Sequence, residues 1–176
     1  LLLIVDLIQM EPPMLWGGLL WKIVWRSCLE ENQSSKWFDE GSSIMKEQTI
    51  QRIVDEGVLA VLRGPSEDLT LKMVEALLKG GVKGIEITFT TPNALAVIET
   101  LANQFHGDIL LGVGTVTKID QSMAAKNAGA QFLVSPHTDK KLLKSMVKTK
   151  LPVIAGALTP SEVVAALKYG ADIVKI

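Results

Sequence analysis

From Met45 onward, short continuous apolar runs alternate with segments whose apolar residues recur at helical spacing. The run at 58–62 is too short for a helix and suits a parallel strand buried on both faces. Before it, 46–56 reads as a short helix ended by Gly57. After it, 69–79 carries Leu71, Val74, Leu77 and Leu78 at helical spacing and stops at Gly80-Gly81, a helix C-terminal signal. Further strands are predicted at 85–89, 109–113, 131–135, 152–155 and 172–176, with helices at about 119–128, 138–148 and 160–169. Another helix is predicted to open at Thr91-Pro92, a cap residue followed by proline at the first helical position. Thr159-Pro160-Ser161-Glu162 repeats that device with a full capping box. Six strands thus alternate with helices.

An internal repeat narrows the architecture. Gly81, Gly129 and Gly170 each end a helix and are followed by a short link and a strand; they lie 48 and 41 residues apart, two units each time. A period of 20 to 24 residues per strand and helix suits an α/β chain folded as a (β/α)8 TIM barrel, with a doubly wound sheet as the alternative. Six strands do not close an eight-stranded barrel. The expectation is therefore a barrel truncated at its C-terminus to about six strands.

Composition divides the chain near Met45. All four tryptophans and the only cysteine, Cys28, lie before it, where three basic residues face six acidic ones. Residues 1–44 match nothing in the repeat and are expected to be an apolar N-terminal segment foreign to the barrel of 45–176. The apolar runs there are broken by Asp6, Glu11-Pro12-Pro13 and Lys22, so neither reaches the roughly 20 residues that span a bilayer. No basic start of the kind a secretory signal needs precedes Lys22. A net charge of −1 supplies no basic field for nucleic acid. One cysteine and no CxxC or Cys/His cluster fit a reducing cytoplasm without a structural metal.

The register of the repeat carries candidate chemistry. Glu86 and Lys175 each stand five residues after their helix-ending glycine, on the second and sixth of the expected strands. In a barrel, alternate strands fill one interior layer, so the two should face each other across the lumen. Ile85, Ile87 and Phe89 would then pack outward, and Glu86, Thr88 and Thr90 point inward. A salt bridge inside the barrel, or a solvated lysine at a strand end, would account for the same two residues. A buried amine beside a carboxylate also suits imine chemistry: the amine attacks a ketone only in its neutral form, and the carboxylate moves protons.

The segments 60–64 (AVLRG), 84–92 (GIEITFTTP), 112–116 (GVGTV), 134–137 (VSPH) and 173–176 (IVKI) occur in one order. Together they resemble the bacterial KDPG/KHG aldolase family, the 2-dehydro-3-deoxy-6-phosphogluconate and 4-hydroxy-2-oxoglutarate aldolases. The resemblance runs from about Met45 to Ile176. It implies a class I aldolase with Lys175 as the Schiff-base lysine and Glu86 as the acid/base working through water. It also implies that Thr115 contacts the pyruvyl carboxylate, that Arg63 lies on the substrate's anionic groups, and that Pro136 lines the pocket. From the residues alone, a helix-entry or turn role would also account for Thr115, a solvated strand end for Arg63 and a simple turn for Pro136, and His137 reads as a loop residue. Thr90 is also implied as a substrate-binding residue, but many relatives have arginine there, so anion binding in this chain is expected to lean on Arg63, Thr115 and backbone donors. The implied partner is a small 2-keto-3-deoxy sugar acid phosphate. No metal or organic cofactor is implied, because the imine itself serves as electron sink, and a cytoplasmic homotrimer is implied. Even under the aldolase reading the six-strand fragment is expected to show little or no turnover by itself, and two other readings fit the residues: a non-catalytic barrel fragment, and a phosphate-binding isomerase or synthase that makes no imine.

Overall fold

Backbone hydrogen bonding joins eight strands into one sheet in the computed structural model, which describes residues 3–7, 23–25 and 40–176. In chain order the elements are β1 (Leu3–Leu7), β2 (Ile23–Trp25), α1 (Glu40–Glu56), β3 (Val58–Leu62), α2 (Glu67–Lys79), β4 (Gly84–Thr88), α3 (Ala94–Gln104) and β5 (Leu110–Gly114). They continue with α4 (Ile119–Asn127), β6 (Phe132–Ser135), α5 (Lys140–Lys148), β7 (Val153–Gly156), α6 (Pro160–Lys168) and β8 (Ile173–Lys175). Strands β3 to β8 are the six expected ones, parallel and in sequential order, curled as half a barrel. A doubly wound sheet would reverse strand order at a switch point; no reversal occurs among β3 to β8.

The strand count and one helix boundary need correction. Parallel β1 adds to the β3 edge, and antiparallel β2 adds to the β8 edge, so the sheet has eight strands rather than six. Unpaired edge N–H and C=O groups recruit whatever extended apolar segment is available, and repeat matching cannot see such a pairing. Helix α1 begins at Glu40, six residues before the expected start at Lys46.

Alternation along the strands separates two cores. Ala60, Leu62, Ile85, Ile87, Leu111, Val113, Leu133, Val153, Ala155 and Val174 face the helices and pack with their apolar stripes. Leu59, Val61, Leu110, Phe132, Val134, Ile154 and Ile173 fill the concave face. Ile53 of α1 belongs to this second cluster. Helix α1 therefore lies across the end of the curl where the strands begin. Arg52 Nη2 donates to the Gly107 carbonyl at 3.1 Å, and Lys46 Nζ pairs with Asp172 Oδ1 at 2.9 Å.

The repeated glycine links have a structural purpose. Two residues after Gly129, the Gln131 N–H donates to the Leu111 carbonyl while Gln131 Oε1 accepts from Leu111 N at 2.9 Å. Two residues after Gly170, Asp172 does the same to Val153, with Oδ2 accepting at 2.8 Å. Each link thus clasps the preceding strand at two points. Asp172→Ala would strip the acceptor from the N–H of fully buried Val153 and release Lys46. The expected loss is about 1–3 kcal/mol, the cost of one unsatisfied buried donor, read by urea unfolding.

Caps fix the helix starts. Ser66 and Asp139 accept from Leu69 N and Leu142 N, so α2 starts at Glu67 and α5 at Lys140. At α6 the expected capping box forms: Thr159 accepts from Glu162 N, and Glu162 Oε2 accepts from Thr159 N at 2.9 Å. The Thr91-Pro92 expectation fails by two residues. Thr91 Oγ1 turns to the Leu62 carbonyl instead, and α3 starts after Asn93, whose φ of 52° is one that asparagine tolerates.

The N–H of Leu158, then the hydroxyl and N–H of Thr159, hold the Glu162 carboxyl below its ordinary pKa. A carboxyl lowered in the folded state stabilises above its unfolded value and loses that contribution as pH falls through the folded one. Thermal melts of the parent and Glu162→Gln should differ at neutral pH, the parent melting higher, and converge in acid.

Candidate active site

Glu86 sits in the middle of β4 on the concave face and is 2% exposed. Its neighbours Ile85 and Ile87 are fully buried against the helices, as the alternation requires. What makes room for the carboxylate is β5. An atom placed as Cβ on Gly112 would fall within the Phe132 ring's contact distance at 2.1 Å, and one on Gly114 would lie 1.7 Å from Glu86 Oε1. The bare backbone of Gly112 therefore receives an aromatic ring, and that of Gly114 receives the carboxylate. Glycine inside a strand signals such close approach.

Lys175 ends β8, two residues beyond Ile173 of the concave cluster, so it stands on the concave face and is partly buried. The strand register sets its level relative to Glu86. Glu86 pairs with Gly112 and Gly112 with Phe132; two residues further along β6, Val134 pairs with Ile154 and Ile154 with Ile173. Lys175 is therefore displaced four residues up the register from Glu86 over four strand-to-strand steps. In a (β/α)8 barrel with shear number 8, which climbs about one residue per strand, this offset would bring both side chains to one level.

The other candidates gather at the C-terminal ends of the strands, the end at which barrel enzymes build their sites. Arg63 follows β3 and is half-buried; Thr90 is exposed two residues after β4. Thr115 follows β5 with φ of 56°, Pro136 and His137 are exposed after β6, and Gly156 at the end of β7 pairs with Lys175. A β-branched residue in the left-handed region costs about 1–3 kcal/mol and persists only where its surroundings impose it, often at functional sites. Here the buried Val116 anchors it, its N–H donating to the Val134 carbonyl at 3.1 Å.

Pro136 contributes its backbone. A Cβ at Gly156 would lie 2.1 Å from the Pro136 carbonyl oxygen, so that carbonyl rests on Gly156, the register partner of Lys175. Thr138 Oγ1 holds the turn down by donating to the Gly156 carbonyl at 2.8 Å, and Ser135 Oγ donates to the His137 carbonyl at 2.8 Å. Sequence reasoning did not single out Gly114, Gly156 or Thr138. The alternating glycines of Gly112-Val113-Gly114 were the available signal for the first.

Residues 49–176 match the family described as KDPG and KHG aldolase. The 2-dehydro-3-deoxy-phosphogluconate aldolase of Treponema pallidum is 36% identical over 103 residues, covering 58% of this chain and 49% of that protein. The KHG/KDPG aldolase of Escherichia coli K12 is 36% identical over 98 residues, 56% of this chain and 46% of the relative. This chain thus spans about half the length of the curated relatives it matches. The crystal structure of KDPG aldolase from Legionella pneumophila, with pyruvate captured as a covalent carbinolamine intermediate, superimposes with a TM-score of 0.56 at 35% identity, over 64% of this chain and 53% of that one. Among the described residues no helix is long and apolar enough to cross a membrane. With its match over 49–176 and its sequential parallel half-barrel, the chain belongs to the KDPG and KHG aldolase family.

Proposed function

We propose that the chain performs class I aldol cleavage of a 2-keto-3-deoxy acid, 2-dehydro-3-deoxy-6-phosphogluconate or 4-hydroxy-2-oxoglutarate, with Lys175 as nucleophile and Glu86 as proton carrier. The observation that supports this reading is that Glu86 and Lys175 share the concave face, four residues apart in register over four strand-to-strand steps, with the carboxylate seated on Gly114. The carbinolamine captured in the Legionella relative supports it.

In this mechanism Lys175 Nζ adds to the C2 ketone and the carbinolamine loses water to give a protonated imine. Glu86, through a water, takes the proton of the C4 hydroxyl. The C3–C4 bond then breaks, its electron pair passing into the imine to give an enamine while C4 leaves as the aldehyde. That aldehyde is glyceraldehyde 3-phosphate from the first substrate and glyoxylate from the second. Protonation at C3 and addition of water to the imine return pyruvate and the amine. Thr115 and Arg63 meet the anionic groups of the substrate, and Pro136 with Thr90 edges its pocket.

The test runs from the product side. Incubation with pyruvate and sodium borohydride should place a reduced pyruvyl group on Lys175, identified by peptide mass spectrometry. Labelling at another lysine, or none, would overturn the assignment.

A further inference from the structure

Apolar groups close the concave face around Glu86 on three sides. Along the register Glu86 is flanked by Val61 on β3 and Gly112 on β5, and Gly112 in turn by Phe132 on β6. Val61 and Phe132 are both buried in the concave core. The slot that a side chain at 112 would fill holds the far end of the Phe132 ring, Cε1, Cε2 and Cζ. One step down β4, the slot over Gly84 is taken by Leu59, whose Cδ2 would lie 2.6 Å from a Cβ there. The seat that Glu86 fills is the next one up β5: its Cγ and Cδ would lie 2.8 and 2.5 Å from a Cβ on Gly114, and Oε1 closer still.

We propose that Phe132 is a positioning residue for Glu86. By occupying Gly112, its ring keeps the carboxylate from settling sideways across β5. The carboxylate is thereby sent up onto Gly114, towards the C-terminal strand ends, where Lys175 also stands on the concave face. The ring is fully buried, so it cannot leave this slot without opening a void in a close-packed core. Leucine at 132 would keep the row apolar but lacks the three ring atoms that reach Gly112, which separates filling the core from directing the carboxylate. A methyl group at 112 would refill the slot from β5, because the ring atoms are the nearest neighbours of that point. The chemical consequence rests on the reading of Lys175 as the imine former and Glu86 as the proton carrier; the placement of the carboxylate does not.

Two measurements on the full chain test this. In the parent, proton NMR should show a stronger Overhauser contact from the Glu86 γ-protons to the α-protons of Gly114 than to those of Gly112. Phe132→Leu should reverse that order, and Phe132→Leu combined with Gly112→Ala should restore the contact to Gly114. The second measurement is deuterium exchange into the methyl group of pyruvate in heavy water. The Lys175 imine loses a C3 proton through water to Glu86, and the resulting enamine takes a deuteron back at C3. Dividing the exchange rate by borohydride trapping of pyruvate on Lys175, which needs the imine alone, isolates the proton transfer. This ratio should fall roughly tenfold to a hundredfold in Phe132→Leu, within the factor a general base supplies, and recover in the double variant. A Gly114 contact that stays dominant in Phe132→Leu overturns the Phe132 proposal, as does a ratio that Glu86→Gln lowers and Phe132→Leu does not. A dominant Gly112 contact in the parent overturns it even if Phe132→Leu fails to fold. Absence of a Lys175 adduct in the parent, or a ratio unmoved by Glu86→Gln, overturns instead the reading of the site, and the NMR comparison still decides the placement.

Discussion

Replacing Lys175 with arginine is expected to abolish both borohydride trapping by pyruvate and aldol cleavage, while the protein stays folded. Arginine keeps the positive charge and a similar reach, so the electrostatics of the concave face survive. Its guanidinium does not deprotonate under working conditions and has no neutral amine to add to a ketone. The backbone role of the position is independent of the side chain: the Lys175 carbonyl accepts from Ala157 N at 2.9 Å, and Lys175 pairs with Gly156 across the β7–β8 ladder. A cooperative melt close to that of the parent is therefore the required control. Turnover or trapping at the parent level in Lys175→Arg would end the Schiff-base assignment and would favour a barrel enzyme that makes no imine.

Glu86 and Lys175 were legible as a pair because the glycine-ended repeat sets the strand phase, and strand phase sets the face. The full burial of Ile85 and Ile87 against the helices follows from the same alternation. Three features lay outside that logic. Residues 3–7 and 23–25 read as interrupted apolar runs, since the pairing partner of an edge strand is set by which edges the rest of the fold leaves open. Thr91 looks like a helix cap in sequence, but the carbonyl of Leu62, 29 residues earlier, claims its hydroxyl. Thr115 carries no local cue to its left-handed conformation, because glycine or asparagine is the usual marker of positive φ. Long-range partners decided each of these, whereas periodicity reports only on neighbours. The proposed site combines both kinds of information: residue types from the motif, and their meeting from the register.

The carboxylate offers the second large effect. Glu86→Gln preserves shape and leaves an amide seated over Gly114, so folding should be retained, but an amide cannot take the C4 hydroxyl proton. Cleavage should fall by roughly a hundredfold or more, the scale of a lost general acid/base. Gly114→Ala reaches the same group from the other side. Glu86 remains in place chemically, yet the new Cβ would stand 1.7 Å from Oε1, so the carboxylate must swing away from the position it now holds. If geometry matters as the mechanism requires, Gly114→Ala should also be slow, with kcat reduced more than KM is raised, because the defect lies in proton transfer rather than in substrate capture. Combining the two substitutions should cost little beyond the more damaging one, since both remove a single function. Full activity in Glu86→Gln would remove Glu86 from the chemistry, and multiplicative losses in the double variant would show that Gly114 serves something other than the seat of that carboxylate.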